Sequence, residues 1–322
     1  MHTHQIALLG GTGFVGRHLI SRLARDGHRL KVLTRRREKH RDLLVIPTLR
    51  LIEADVHNPA HLRMHLAGCT AAINLVGILN EHGDDGRDFH HVHVELVEKL
   101  IAACRDLGVH RLLHMSALHA SPAGPSHYLQ SNGRAEELVQ DAARHGLQVT
   151  SFRPSVIFGP GERFLNRFAQ LLRWTPLFFP LACPQARFAP VCVTDVAEAM
   201  ARCLDDPHSY GRRYDLCGPR TYTLHQLVAY TAQIIGVRRF IVPLPYFLSK
   251  LQASVLEYAP GKPFSRDNLR SLQVDSICVG GGALAALGIM PTPLEAVAPD
   301  YLLPSGQRRR YDDFRHRISL PA

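Results

Sequence analysis

The residues with the plainest chemical purpose in this chain are three glycines. Gly10, Gly13 and Gly16 fall in the stretch ALLGGTGFVGRHL at the spacing GxxGxxG, a pattern that grips a pyrophosphate rather than moving a proton. One glycine lets a chain turn sharply off a strand, one lets backbone approach the phosphates, and one lets the following helix pack closely on the strand. Thr12, Phe14 and Val15 lie among them, and the start of the helix offers unpaired N–H groups to the anion. A tight turn without ligand is the competing reading of a glycine triplet alone. Its place between the apolar run 5–9 and the helical face Phe14, Val15, Leu19 and Ile20 favours the ligand.

The preferred dinucleotide depends on the residues at the end of the second strand, read over 30–33. An acidic residue there would bind a free ribose 2′-hydroxyl; this chain offers Thr34, Arg35, Arg36 and Arg37. Arginine suits a 2′-phosphate, so NADP(H) is expected over NAD(H), with Arg35 first in reach; the alternative is a solvated basic turn. The third strand, 49–54, ends in Asp55 and Val56, where a side chain can meet the adenine edge. The fourth, 71–76, leads Asn74, Leu75, Val76 and Gly77 onto the floor of the cleft, Gly77 permitting close approach. His61 and His65, on a helix 59–66 begun by Asn58, have the i, i+4 spacing of metal ligands but no third partner, so a solvated face is preferred and no metal is expected.

The elements that would position these residues alternate in type. A helix over 88–107 buries Val92, Leu96, Val97, Leu100 and Ile101 on one stripe, with His90, His91 and His93 read as polar surface. A fifth strand, 111–115, delivers Ser116 at its carboxyl end, and a helix begins near Tyr128. A sixth strand, 149–154, is followed by residues 155–158, which include Ser155 and Val156, and by the turn Gly159, Pro160 and Gly161. Residues 188–193 read as a short strand, Asp195 or Thr194 as the cap of a helix to Leu204, residues 213–216 as a late strand, and Thr223 as the cap of a helix over 224–235. The pattern is α/β: a Rossmann-type doubly wound parallel sheet with a smaller C-terminal lobe sharing the cleft. Residues 1–150 form the dinucleotide-binding core, and residues 151–322 supply the remaining sheet strands, the lobe and a basic tail.

Composition narrows the setting. A chain of 322 residues, 46% hydrophobic, can bury a full core. Its seven cysteines are scattered, odd in number and never spaced CxxC, as expected for thiols in a reducing compartment. The opening residues lack the apolar region of a signal peptide, and no run reaches the ~20 apolar residues of a membrane span. A cytoplasmic protein is expected, held if at all on the inner face of the cell membrane. A formal charge of +10 suits an anionic partner, whether cofactor phosphate, acidic protein or lipid; no nucleic-acid motif is present, and none is expected to bind. Phe247, Leu248, Leu251, Val255 and Leu256 form the apolar stripe of a helix over 246–258. With the terminal SGQRRRYDDFRHRI, it suits a membrane surface or partner as well as packing on the protein's own lobe.

The order TGFVG, NLVG, strand-end MSA and a tyrosine opening a helix resembles the extended and atypical short-chain dehydrogenases/reductases. That resemblance implies a reducing site of a strand-end serine, a tyrosine, and a lysine four residues later, which falls here on Ser116, Tyr128 and position 132. The last is Asn132. A tyrosine with a pKa near ~10 is a poor acid-base catalyst at neutral pH unless a cation lowers it, and asparagine carries no charge. The resemblance also assigns Pro154, Ser155 and Val156 to a cofactor-facing loop. RPSVIFGPG, FAPVCVTDVAEAM, YDLCGPRTYTL, DNLRSLQVD and PTPLEAVAPDYL extend it to nearly the whole chain. Together they resemble the branch holding the nucleotide-binding accessory subunit of respiratory complex I, its bacterial homologues and relatives linked to ubiquinone synthesis. The resemblance implies a dinucleotide-binding accessory or assembly protein of low turnover, with respiratory-complex or quinone-synthesis partners. The alternative is an active NADP(H)-dependent oxidoreductase or epimerase-like enzyme on a small or quinone-like substrate.

Overall fold

The computed structural model describes residues 3–259 and 261–303. Six strands alternate with helices through the first half: β1 (Gln5–Leu9), β2 (Arg29–Thr34), β3 (Leu49–Glu53), β4 (Ala71–Asn74), β5 (Arg111–Met115) and β6 (Gln148–Pro154). Four short strands follow, β7 (Ile157–Phe158), β8 (Phe178–Leu181), β9 (Arg187–Phe188) and β10 (Val191–Cys192), before β11 (Arg212–Leu216) returns to the main sheet. The sheet order is β11-β6-β5-β4-β1-β2-β3, with every neighbouring pair parallel. Parallel strands are covered on both faces and so read as continuous apolar runs; residues Ile6, Ala7, Leu8 and Leu9 are fully buried.

Helices α1 (Phe14–Arg25) and α2 (Pro59–Leu66) lie on opposite faces. Asn58 caps α2 by accepting from the Ala60 N–H. The helix expected over 88–107 is interrupted: α3 (Arg87–Phe89) runs through a wider π-type turn, His90–Glu95, into α4 (Leu96–Leu107). His93, within that turn, is buried rather than at the surface. Next come α5 (His127–Arg144), α6 (Phe164–Trp174) and α7 (Val193–Leu204). Leu19, Ile20 and Leu23 of α1 share one core with Val196, Met200 and Cys203 of α7, and α2, α4 and α5 cover the other face.

The remaining elements are β12 (Tyr222–Thr223), α8 (Leu224–Ile234), β13 (Phe240–Pro243), α9 (Tyr246–Leu256), α10 (Arg266–Ser271) and α11 (Leu294–Leu302). Around a separate core of Phe158, Leu165, Phe179, Leu227, Val228 and Leu294 they make the smaller lobe. Thr223 caps α8 in a capping box with Gln226.

Three further expectations are corrected. Residues 188–193 are two strands, because Ala189 and Pro190 leave the ladder: β9 pairs with β12 and β10 with β7. Helix α7 starts at Val193, so neither Asp195 nor Thr194 is its cap; the Asp195 carboxylate instead accepts from the Thr292 N–H at 2.7 Å and its hydroxyl at 2.9 Å. Cys217 and Cys278 are not free thiols but a disulfide, with Cα atoms 6.1 Å apart; the other five cysteines are free. The chain from Ser276, bridged to Phe188 of β9 and accepting the Ser155 hydroxyl at its carbonyl, to Ala283, whose N–H meets the Asp215 carbonyl of β11, brings the two sulfurs together. The terminal SGQRRRYDDFRHRI motif lies outside the described residues.

Candidate functional site

The sheet reverses direction of growth between β1 and β4, and in open parallel sheets ligands bind at the strand carboxyl ends beside such a switch point. The glycines stand there in separate roles. Gly10 has φ +75° and turns the chain so closely that a Cβ would lie 2.7 Å from the Leu75 backbone. A Cβ on Gly16 would lie 2.4 Å from the Gly11 carbonyl oxygen, so its hydrogen is what lets α1 rest on the loop. Gly13 differs: within 4 Å its Cβ would meet only the Gly10 carbonyl, at 3.2 Å. It also occupies the N-cap of α1 with no side-chain cap. First-turn N–H groups without a side-chain acceptor, beside open space, form an anion cradle. These features fit a dinucleotide pyrophosphate.

Phe14 faces the rim loop, its ring edge 3.8 Å and 3.9 Å from where Cβ atoms on Gly159 and Gly161 would stand; His18 meets the Pro160 carbonyl at 3.3 Å. Arg35 and Arg36 follow β2 with exposed side chains that make no hydrogen bond or ion pair among the described residues. The Arg37 N–H donates to Glu53. The Asp55 carboxylate is engaged locally, accepting from the His57 N–H at 2.9 Å, while Val56 joins the hydrophobic core. Asn74 is buried, accepts from the Val76 N–H at 3.1 Å and lies 3.4 Å from His114. Leu75 and Val76 pack on the two cores, and Gly77 faces the His93 ring, 3.5 Å from a would-be Cβ. His61 is occupied by the Asp55 N–H. Among the described residues no group of three or more His, Cys, Asp or Glu is placed to hold a metal.

Tyr128 and Asn132 lie one turn apart on α5, and Ser116 stands at the end of β5. The Ser116 hydroxyl and Glu136 Oε2 are buried without a well-formed partner; the hydroxyl offsets part of the burial that raises the Glu136 carboxyl. Glu136 also faces Arg213 at 2.8 Å and Arg153 at 3.6 Å. Asn132 is buried and donates to the Tyr128 carbonyl at 2.8 Å, closing a local turn of α5. The Tyr128 phenol, packed edge-on against Phe89 and His93, is pushed up to about 12 by burial and then by the Asp267 carboxylate. Lys31, Lys99 and Lys262 are engaged elsewhere. The Pro154 carbonyl receives the Leu118 N–H, while Ser155 donates its N–H to the Leu216 carbonyl and its hydroxyl to the Ser276 carbonyl. The Val156 carbonyl accepts from Val191.

Two residues that sequence reasoning missed govern this region. Asp267, buried on α10, accepts from the His127 N–H at 2.8 Å and the Tyr128 N–H at 3.1 Å, an arrangement favoured at a helix N-terminus. Nothing local marks it, since its partners lie about 140 residues away. His93 accepts from the Ile78 N–H through Nε2 at 3.1 Å, which makes Nδ1 the protonated nitrogen donating to Ser131 at 2.8 Å. Burial lowers it to about 4, so it stays neutral. Its position three residues before Leu96 and four before Val97 was a usable sign that it shares their buried stripe. A cleft of about 650 Å³, lined by His4, His28, Arg111 and Asp205 among others, lies at the opposite, N-terminal edge of the sheet.

Residues 6–217 match the model of the NAD dependent epimerase/dehydratase family. Relatives named NADH dehydrogenase [ubiquinone] 1 alpha subcomplex subunit 9, mitochondrial, are 31% identical over 304 residues in Mus musculus, covering 89% of this chain and 77% of the relative. In Arabidopsis thaliana the corresponding protein is 27% identical over 317 residues, covering 92% and 76%. A ceramide reductase of Caulobacter vibrioides is 28% identical over 243 residues, covering 74% and 73%. Among solved structures, DesIV, a dTDP-glucose 4,6-dehydratase from Streptomyces venezuelae with NAD and TYD bound, superposes with a TM-score of 0.72 at 19% identity, covering 92% of this chain and 95% of that one. This last likeness is one of fold.

Proposed function

The chain belongs to the NAD dependent epimerase/dehydratase family, and from that membership we propose that it binds NADP(H) with little or no turnover. It serves as an accessory or assembly factor linked to respiratory complex I or ubiquinone metabolism, on the cytoplasmic side and in contact with the membrane surface. One observation carries the low-turnover reading. Where a reducing site needs a cation beside the phenol, Tyr128 has the neutral Asn132 at the next helical turn and the Asp267 carboxylate at the helix start, and its phenol is raised rather than lowered. The accessory role draws on relatives named as subunits of NADH dehydrogenase across most of this chain's length. The cofactor preference rests on Arg35 and Arg36, free to meet a 2′-phosphate where an acid would meet the ribose hydroxyl.

An active reductase is the second reading, favoured by the relative named ceramide reductase. One experiment separates the two: purified protein loaded with NADPH is assayed against a panel of quinones, small ketones and long-chain ketones, with Tyr128→Phe as control. Binding of NADPH with no oxidation above the control supports the accessory reading. Robust turnover lost in Tyr128→Phe overturns it.

A further inference from the structure

Trp174, at the end of α6, is 75% exposed although it is the chain's single tryptophan. It does not stand alone. Phe178 of β8 and Phe240 of β13 are exposed side by side, ring centres 5.9 Å apart. Helix α9 continues the surface: Ser249 and Ala253 face inward, leaving Phe247 (68% exposed), Leu251 and Val255 outward, with Tyr258 (85%) just beyond. Hydrogen bonds make these one surface. The Phe240 N–H donates to the Leu177 carbonyl, Arg239 to the Leu172 carbonyl, and Gln252 to the Pro180 carbonyl. Contiguous exposed aromatic and aliphatic area on this scale marks an interaction site.

Charge identifies the occupant. The two stretches that build the surface, residues 163–194 and 216–258, contain one of the chain's 28 aspartates and glutamates, Glu257, which is buried and paired with Arg266 at 2.6 Å, against eight of its 38 lysines and arginines. Arg173, Arg238 and Lys250 are exposed and stand next in sequence to, or two residues from, Trp174, Phe240 and Leu251; Arg173 also reaches the Leu302 carbonyl at 3.3 Å, and among the described residues none of the three forms an ion pair with a carboxylate. Exposed aromatic rings with exposed arginine and lysine beside them match the headgroup layer of an anionic bilayer. No described helix is long and apolar enough to cross a membrane. We propose that the surface formed by Trp174, Phe178, Phe240, Phe247, Leu251 and Tyr258 inserts into the headgroup layer of an anionic membrane, with Arg173, Arg238 and Lys250 pairing with lipid phosphates. This deepens the membrane contact of the proposed function by naming the surface; nucleotide binding, measured separately, stands or falls without it.

The single tryptophan is the probe. Full-length protein is titrated with vesicles of phosphatidylcholine alone and of equimolar phosphatidylcholine and phosphatidylglycerol, while Trp174 emission is followed. The expected result is a blue shift and quenching by brominated acyl chains with the anionic vesicles only, reversed by salt. Phe178→Ser with Phe240→Ser should weaken partitioning about tenfold or more while NADPH binding is retained. Arg238→Gln with Lys250→Gln, which leaves the packed residues intact, should weaken it several-fold if the double serine variant does not fold. Unshifted Trp174 emission with anionic vesicles, or an equal response to neutral ones, overturns the proposal. So does a surface found already covered by a second copy of the chain or by its own C-terminal residues.

Discussion

Replacing Asn132 by lysine tests the account of Tyr128 most directly. The phenol stands at about 12 against an ordinary 10, a difference of about 2.7 kcal/mol against the phenolate. At pH 8 that leaves about 10⁻⁴ of the molecules ionised, where an unperturbed tyrosine would have about 10⁻². A cation within one helical turn typically lowers such a group by about 1–3 units, so Asn132→Lys should raise the phenolate population about ten- to a thousandfold while Asp267 still opposes it. Asn132→Met, of similar length and no charge, should leave it unchanged and so controls for the loss of the asparagine bond to the Tyr128 carbonyl. The assay is an alkaline absorbance titration of each protein minus its Tyr128→Phe counterpart, isolating one phenol among the chain's nine tyrosines. Folding is checked by thermal melting, and NADPH oxidation is followed in parallel. A wild-type Tyr128 titrating at or below the ordinary value would refute the reasoning. Identical lysine and methionine variants would refute it equally.

Gly13→Val should abolish nucleotide binding with a smaller fall in melting temperature than Gly16→Ala, because within 4 Å its Cβ meets only the Gly10 carbonyl, at 3.2 Å. Gly16→Ala should melt early, since its methyl meets Gly11 backbone at 2.4 Å; calorimetry with and without NADPH distinguishes the two, and a Gly13→Val variant that still binds would show the loop to be purely structural. NADPH should bind about tenfold or more tightly than NADH, about 1.4 kcal/mol, and Arg35→Ser with Arg36→Ser should erase the difference; equal affinities in the wild type would defeat the assignment. His93 and His114 are lowered by burial to about 4. The unfolded chain therefore takes up their protons first, and stability falls as pH drops from about 6.5 toward 4, each histidine accounting for about 2 kcal/mol by pH 5. The buried Glu81, Glu136 and Glu162, raised by burial, act in the opposite sense, so the check is the difference in denaturation between wild type and His114→Gln, which should narrow toward acid. Opening the Cys217–Cys278 bond, which joins residues 61 apart, should cost about 4 kcal/mol if chain entropy dominates; denaturant midpoints that do not move between oxidised protein and Cys217→Ser would show the bond to be thermodynamically idle.

The glycine spacing and the uninterrupted apolar strands were local, and they carried the main architecture. A parallel strand buried on both faces must be apolar throughout, and a strand-to-helix turn over a phosphate admits few side chains. Hence β1, β5, α2 and the α8 cap were legible from residues a few positions apart. So was the missing lysine, because an i, i+4 pair on one helix is a local fact. The surroundings of Tyr128 were not. Asp267 reaches the α5 N-terminus from α10, and Cys217 meets Cys278 only because the chain between Ser276, bridged to β9, and Ala283, bonded to β11, passes beside it. The exposed tryptophan surface was visible in sequence only as an amphipathic stripe with two possible fates. Whether a stripe is buried depends on which neighbours the fold supplies, and chemistry at a buried group depends on the charges that distant segments place beside it. Both are set by tertiary packing, where the desolvation and Coulomb energies that move Tyr128 arise between residues that sequence separation makes strangers.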